Sequence, residues 1–255
     1  MIKLSAVIIT FNESRNIERC LDSLVDVTDE IVIVDSNSTD NTKAICEKFK
    51  VKFIIHPFEG HIQQKNYAAS QASCDWVLSL DADECLDETL RNEIHRVKNS
   101  VEADGYSMNR LTNYCGQWIK HGGWYPDIKL RLWNRHQGQW GGINPHDKFE
   151  LYEPAASIIH LQGNILHYSY YTVEEHRNRS LRYAEISARH LFELKKNISV
   201  PMIFIKTISK FIRNYFLHAG FLDGAYGYTI AIISAQETHR KYRLLKELHK
   251  KSLLH

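Results

Sequence analysis

The chain has 255 residues, room for one large domain or one domain with an appended helical segment, and too few for three. Hydrophobic residues at 44% and charged residues at 24% exclude a disordered or fibrous protein. With 32 Lys and Arg against 30 Asp and Glu the net charge is only +2, so nucleic acid is not an expected partner.

The first hundred residues alternate two patterns. Residues 4–11, 30–34, 51–55 and 76–80 are nearly continuous apolar runs, as in strands buried on both faces. Between them, residues 14–25, 39–49 and 61–72 carry apolar side chains at helical spacing, and residues 90–97 follow as one more helix. The alternation predicts an α/β fold with a mostly parallel central sheet covered by helices. Residues 104–170 change character, being rich in Gly, Trp, Tyr and His, with strands expected at 129–133 and 157–161. From Val173 onward the pattern is helical, with breaks near Pro201 and near residues 220–227. The expected organisation is a catalytic domain over 1–172, with a nucleotide-binding half to residue 100 and an acceptor half over 101–172, and a helical tail over 173–255.

Cys20, Cys46, Cys74, Cys85 and Cys115 are odd in number, dispersed and without a CxxC, which argues against a disulfide framework or zinc knuckle and for a reducing cytoplasm. Met1-Ile2-Lys3-Leu4 leads directly into a strand run, an order unlike a secretory leader. No window has the roughly 18 uninterrupted apolar residues of a membrane span.

In an open parallel sheet, ligands bind beyond the carboxyl ends of the strands. Here those ends read Thr10-Phe11-Asn12-Glu13, Asp35-Ser36-Asn37-Ser38-Thr39-Asp40 and Asp81-Ala82-Asp83-Glu84, so carboxylates and hydroxyls converge on one rim. Residues two apart in an extended segment share a side, and two carboxylates so placed repel unless a cation or donor lies between them. Asp81 and Asp83 therefore suggest Mg²⁺ or Mn²⁺, hard ions that bridge to phosphates. The plainer reading is a solvated acidic turn. Asp35 is a candidate acceptor for a base or ribose group, whereas Ser38 or Thr39 would cap the next helix. Neither GxGxxG nor Walker A is present, which removes support for dinucleotide and P-loop chemistry.

Residues 6–13, 33–42 and 76–84, with Gln64-Lys65-Asn66-Tyr67-Ala68, together resemble the family-2 glycosyltransferases of the GT-A fold, and most nearly their bacterial lipopolysaccharide-core β-glucosyltransferase branch. Asp127-Ile128-Lys129-Leu130-Arg131-Leu132 and Pro145-His146-Asp147 match two further segments of that branch, which usually has Glu where this chain has Asp147. The resemblance implies that Thr10, Asn12, Glu13, Asp35, Lys65 and Asp81 bind the nucleotide-sugar donor. It implies that Asp83 and His167 hold the metal, and that Asp147 is the base with Arg131 assisting. For Arg131 an ion pair with Asp127 is the structural alternative.

Implied with these are single-sugar inverting transfer from a nucleotide-diphosphate sugar, a UDP-sugar, to a glycan or lipid-linked hydroxyl in cell-envelope polysaccharide or lipopolysaccharide synthesis. A silent nucleotide-sugar or glycan-binding module on the same fold is the alternative. A sugar-phosphate nucleotidyltransferase would need a Gly-rich basic loop after the first strand, which is missing. Trp124 and Trp140, flanked by glycines, and His146 are the expected acceptor contacts, since aromatic faces stack on sugars. Gly141-Gly142 suggests a loop that closes over the substrates. The basic stretch 236–255 could meet the inner face of the cytoplasmic membrane. The apolar positions before it would pack on the catalytic domain or a second subunit.

Overall fold

A computed structural model describes residues 1–143 and 146–252, the side chains of Ile143 and His146 excepted. In chain order the elements are β1 (Leu4–Thr10), α1 (Ile17–Asp22), β2 (Glu30–Asp35), α2 (Thr42–Cys46), β3 (Lys52–Ile55), α3 (His61–Ser70), β4 (Trp76–Asp81), β5 (Glu84–Leu86) and α4 (Glu88–Asn99). There follow β6 (Gly105–Tyr114), β7 (Gln117–Ile119), β8 (Asp127–Asn134), β9 (Gly138–Ile143), β10 (His146–Leu151) and β11 (Ile158–Tyr170). The chain ends in α5 (Val173–Glu193), α6 (Val200–Ile212), a π-helical turn (Arg213–Leu217), a 3-10 turn (Gly220–Asp223) and α7 (Gly224–Ser252).

The chain divides into two compact units: Met1–Leu111 with Asp127–Tyr168, and Thr112–Pro126 with Ser169–His255. The acceptor half expected over 101–172 is thereby shared between them, because residues 112–126 pack with the helices.

The first unit has the expected α/β architecture. β3, β2, β1 and β4 are adjacent and parallel. The sheet then continues through antiparallel pairings of β8 with β4 and of β6 with β8. Alternation along β1 explains its unbroken apolar run. Leu4, Ala6 and Ile8 face one buried cluster with Ile17, Leu21, Leu90 and Ile94, while Val7 faces another with Val32, Ala68 and Trp133. Each buried Leu, Ile or Val among them contributes on the order of 1.5–3 kcal/mol by leaving water.

Local hydrogen bonding sets the helix ends. α4 starts two residues before the expected position because the Asp87 carboxylate accepts from Leu90 N at 2.8 Å. α2 starts later than expected, since neither Ser38 nor Thr39 caps it. Ser38 donates instead to Asp35, and Thr39 N donates to Asn12 Oδ1. Glycines 141 and 142 lie in a paired strand, β9, in register with Lys148 and Asp147 of β10. Residues 144–145 of the expected closing loop lie outside the described residues.

In the second unit, Thr172 and Glu175 form a reciprocal capping box at the start of α5. Pro201 falls in the first turn of α6, where its missing N–H costs nothing, so the expected break precedes it. A Cβ on Gly227 would lie 1.8 Å from Gly220 O, so the turn before α7 closes only on glycine. Ile203 of α6 is buried, and Phe204, Ile205, Ile208 and Ile212 are exposed on the single chain. No helix of the described residues is long and apolar enough to cross a membrane.

Candidate active site

Parallel pairing levels the strand tips. Thr10 is in register with Asp35, and Ile9 with Asp81, so the carboxyl ends of β1, β2 and β4 present their polar residues side by side. The rim has three parts.

At the β1–β2 edge the side chains organise a loop. Asn12 takes a left-handed conformation with φ 54°, its N–H donating to Ser38 Oγ at 2.8 Å and its Oδ1 accepting from Thr39 N at 2.8 Å. Buried Asp35 accepts from Ser38 N at 2.8 Å and from the Ser38 hydroxyl. Glu13 N donates to Thr42 Oγ1, and its carboxylate accepts from Asn16. Thr10 is buried, and its hydroxyl has no hydrogen-bond partner among the described residues. Burial opposes the charge of Asp40, but bonds from Thr42 and Ser14 bring its pKa down to about 2.

At the tip of β4, Asp81 lies between two cations. Lys65, on α3, places Nζ 2.9 Å from Asp81 Oδ1 and 2.8 Å from Asp147 Oδ2. Arg131, on β8, places Nη2 3.1 Å from both Asp81 Oδ2 and Glu84 Oε1. Glu84 has a fully buried side chain, and it also accepts from Arg110 Nη1 at 3.3 Å and from Asp81 N at 2.9 Å. Arg110 and Asp127 face each other across β6 and β8 and pair at 2.8 Å. Burial would raise the Asp81 pKa, but Lys65 and Arg131 hold it well below the usual carboxylate range. Burial likewise opposes the Arg131 charge, while Glu84 and Asp81 keep it protonated. The Arg131 Nε and Nη1 have no hydrogen-bond partner among the described residues.

The third part is Asp83 with His167. β5 and β11 put Glu84 in register with His167, and His167 Nε2 lies 3.2 Å from Asp83 Oδ2. Among the described residues no group of three or more His, Cys, Asp or Glu gathers as a cation site. A carboxylate and an imidazole nitrogen suit a divalent ion that completes its shell with water and phosphate oxygens.

The expected donor, base and metal residues thus all fall in the first unit. The alternative partner for Arg131 is corrected: Asp127 pairs with Arg110 and Lys129, and Arg131 with Asp81 and Glu84. Trp140 is 5% exposed, edge-on to Trp133 and Phe149, with Lys65 Nζ 4.4 Å from its ring centre. The face expected to stack on a sugar is therefore occupied by a cation, and Asn66 clamps the Trp140 backbone with two bonds of 2.9 Å. Trp124 belongs to the second unit, packed on Tyr114, Tyr170 and His176. The side chain of His146 lies outside the described residues.

Glu84, Arg110 and Asn66 were not foreseen. Glu84 carried a signal, being the third acid of Asp81-Ala82-Asp83-Glu84. Arg110 had none, since its partners are 17 and 26 residues away in sequence.

Residues 5–150 match the family model described as Glycosyl transferase family 2. An uncharacterized glycosyltransferase of Rickettsia typhi is 32% identical over 262 residues, covering 99% of this chain and 89% of that protein. The lipopolysaccharide core biosynthesis glycosyltransferase LpsC of Rhizobium meliloti is 27% identical, covering 95% and 94% respectively. Among solved structures, S. aureus TarS 1-349 in complex with UDP-GlcNAc aligns over 98% of this chain and 92% of its own, at 17% identity and a TM-score of 0.48. The family match extends over more than half the chain and a relative above 30% identity spans nearly all of it, so this protein belongs to glycosyltransferase family 2.

Proposed function

We propose that the protein transfers a single sugar, with inversion, from a UDP-sugar to a hydroxyl of a glycan or lipid-linked acceptor in cell-envelope polysaccharide or lipopolysaccharide synthesis. The observation carrying this reading is the set Asp81, Lys65 and Asp147, in which one buried ammonium bridges the strand-tip carboxylate and the carboxylate of β10. The similarity to LpsC, a lipopolysaccharide core biosynthesis glycosyltransferase, supports the choice of acceptor class.

In this mechanism the acceptor oxygen bonds to the anomeric carbon as the bond from that carbon to the diphosphate oxygen breaks, and the electron pair leaves with the nucleotide. Asp147 takes the acceptor proton. Lys65 holds the Asp147 carboxylate at 2.8 Å in the resting site, and a diphosphate oxygen entering beside Asp81 competes for the same ammonium and frees the carboxylate to act as base. Arg131 is a positioning residue: buried beneath Asp81 and braced by Glu84, it fixes the carboxylate that contacts the donor. Asp83 and His167 would hold Mg²⁺ or Mn²⁺, which supplies charge neutralisation at the leaving diphosphate. Thr10, Asn12, Glu13 and Asp35 line the nucleoside end.

Asp147→Asn tests the assignment with a panel of nucleotide-sugars. Transfer should fall by about 10²–10⁴-fold while donor binding, measured by calorimetry, persists. Equal turnover by the variant and the parent would remove Asp147 as the base. Donor binding without transfer by the parent chain, on any acceptor of the panel, would favour a silent binding module. Asp83→Asn should weaken Mn²⁺-dependent binding of UDP, and binding indifferent to chelator would overturn the metal assignment.

A further inference from the structure

The second unit turns its apolar side chains outward. On α6 and the turn after it, Ile205, Ile208, Ile212 and Phe216 recur at intervals of three and four, so they form one stripe along the helix. All four are 43–58% exposed, and the opposite side of the same segment carries the buried Ile203 and Asn214. Leu217, Phe221 and Leu222, at 76%, 48% and 61% exposure, extend the apolar surface over the next two turns. A helix that packs only on its own protein buries its apolar stripe. This one exposes it, and so large an apolar surface marks a contact site.

The charge on this segment indicates what covers it. Residues 200–222 contain Lys206, Lys210 and Arg213 and no Asp or Glu. The three cations stand at intervals of four and three, on a row flanking the apolar stripe. Asp223, the first acid to follow, is buried and accepts from Lys120 N and His121 N. A second copy meeting this face through a two-fold axis would set cation against cation with no acid on the segment itself to pair them, the nearby Glu237 of α7 acting on Lys210. An anionic bilayer supplies the complement, with phosphates for the cation row and acyl chains for the stripe. Beside the stripe a cavity of about 480 Å³ is walled by Leu191, Ile198, Met202 and Leu245, with Lys196 and Lys206 in its lining, so it joins apolar walls to cations in the same way.

We propose that the face formed by α6 and the two turns after it is a docking surface for an anionic lipid bilayer, on which the protein lies without crossing it. The basic end of α7, where the sequence pointed, is in part committed elsewhere. Arg240 pairs with Glu185, and Arg243 with Glu247. The proposal is independent of the catalytic assignment, because its readout is vesicle binding without donor or acceptor.

Flotation of the full chain with vesicles of phosphatidylcholine alone, and with phosphatidylcholine and phosphatidylglycerol three to one, tests it. The chain should float with the mixed vesicles and much less with the neutral ones. Lys206→Glu, Lys210→Glu and Arg213→Glu together should weaken binding by about a hundredfold, since each cation near an anionic surface is worth roughly fivefold. Ile208→Asp with Phe216→Asp should abolish flotation while circular dichroism stays that of the parent, and Ile205→Ser with Leu217→Ser is the milder check at equally exposed positions. No flotation with anionic vesicles would overturn the proposal. So would loss of binding only in Lys246→Glu with Lys250→Glu and Lys251→Glu, which would assign it to the end of α7. A dimer in sedimentation, abolished by Ile208→Asp, would identify a second copy as the occupant and equally overturn it.

Discussion

The two units place their side chains against water in opposite ways. The first buries charge: Glu84, Arg131 and Lys65 are each at most 5% exposed, and each has oppositely charged partners within 3.3 Å. The second leaves Ile205, Ile208, Phe216 and Leu217 in solvent while its own core is an aromatic cluster around Tyr114, Trp124, Tyr170 and His176. Buried pairs contribute little net stability against well-packed hydrophobic residues, and in the first unit they supply the fixed charges of the proposed donor site. Exposed apolar stripes contribute nothing to the fold, and in the second unit they form the docking surface proposed above.

The contrast breaks most sharply at Glu84. Glu84→Leu leaves Arg110 and Arg131 close together with one anion fewer, and should cost about 3–5 kcal/mol in urea unfolding, as loss of one partner of a buried pair does. A cost below about 1 kcal/mol would show the site to be wetter than its burial implies.

Acid should separate the units. Burial brings the His176 pKa from 6.5 down to about 4, aided by Arg179. Below pH 6.5 the unfolded chain takes up a proton that the folded imidazole refuses, so this contribution is complete above 6.5 and declines as pH falls to about 4. The loss should reach up to about 3 kcal/mol, and His176→Gln should flatten thermal stability across that window. Asp81 behaves differently. Its depressed pKa gives stability that is present above 3.8 and lost only as pH falls further, through the lowered value. Near pH 5 the Asp81 charge should therefore be intact while the second unit has begun to weaken.

The smallest effect sharpens the contrast from the other side. Ile205→Ser and Phe216→Ser, alone or together, should change stability in urea by no more than about 0.5 kcal/mol each, because the surface they would expose is already wet. A cost of about 2 kcal/mol or more would mean that the face is packed in solution.

Much of the first unit was legible in the residues. The four apolar runs became β1 to β4. Of these, β1, β2 and β4 are buried on both faces, as unbroken β-branched stretches are in a covered sheet, whereas β3, at the sheet edge, is not buried and leaves Ile55 exposed. Polar tips of adjacent parallel strands must then lie level, which brought Thr10, Asp35 and Asp81 together. The hairpin of β9 and β10 was not legible, because Gly-Gln-Trp-Gly-Gly has the composition of a loop and becomes a strand only through its ladder with residues 146–151 and the Asn66 clamp. In the tail, helical spacing showed the apolar stripe of α6, and the direction in which it points was open.

Local chemistry alone determined the strand run, the carboxylates at its ends and the start of α6 beside Pro201, because burial pattern, turn residues and a missing N–H act within a few positions. Tertiary structure decided which cation each carboxylate meets and which side of α6 faces water. Lys65 reaches Asp147 across 82 residues of chain, and such a pairing depends on how strands and helices stack, which no spacing along the chain encodes.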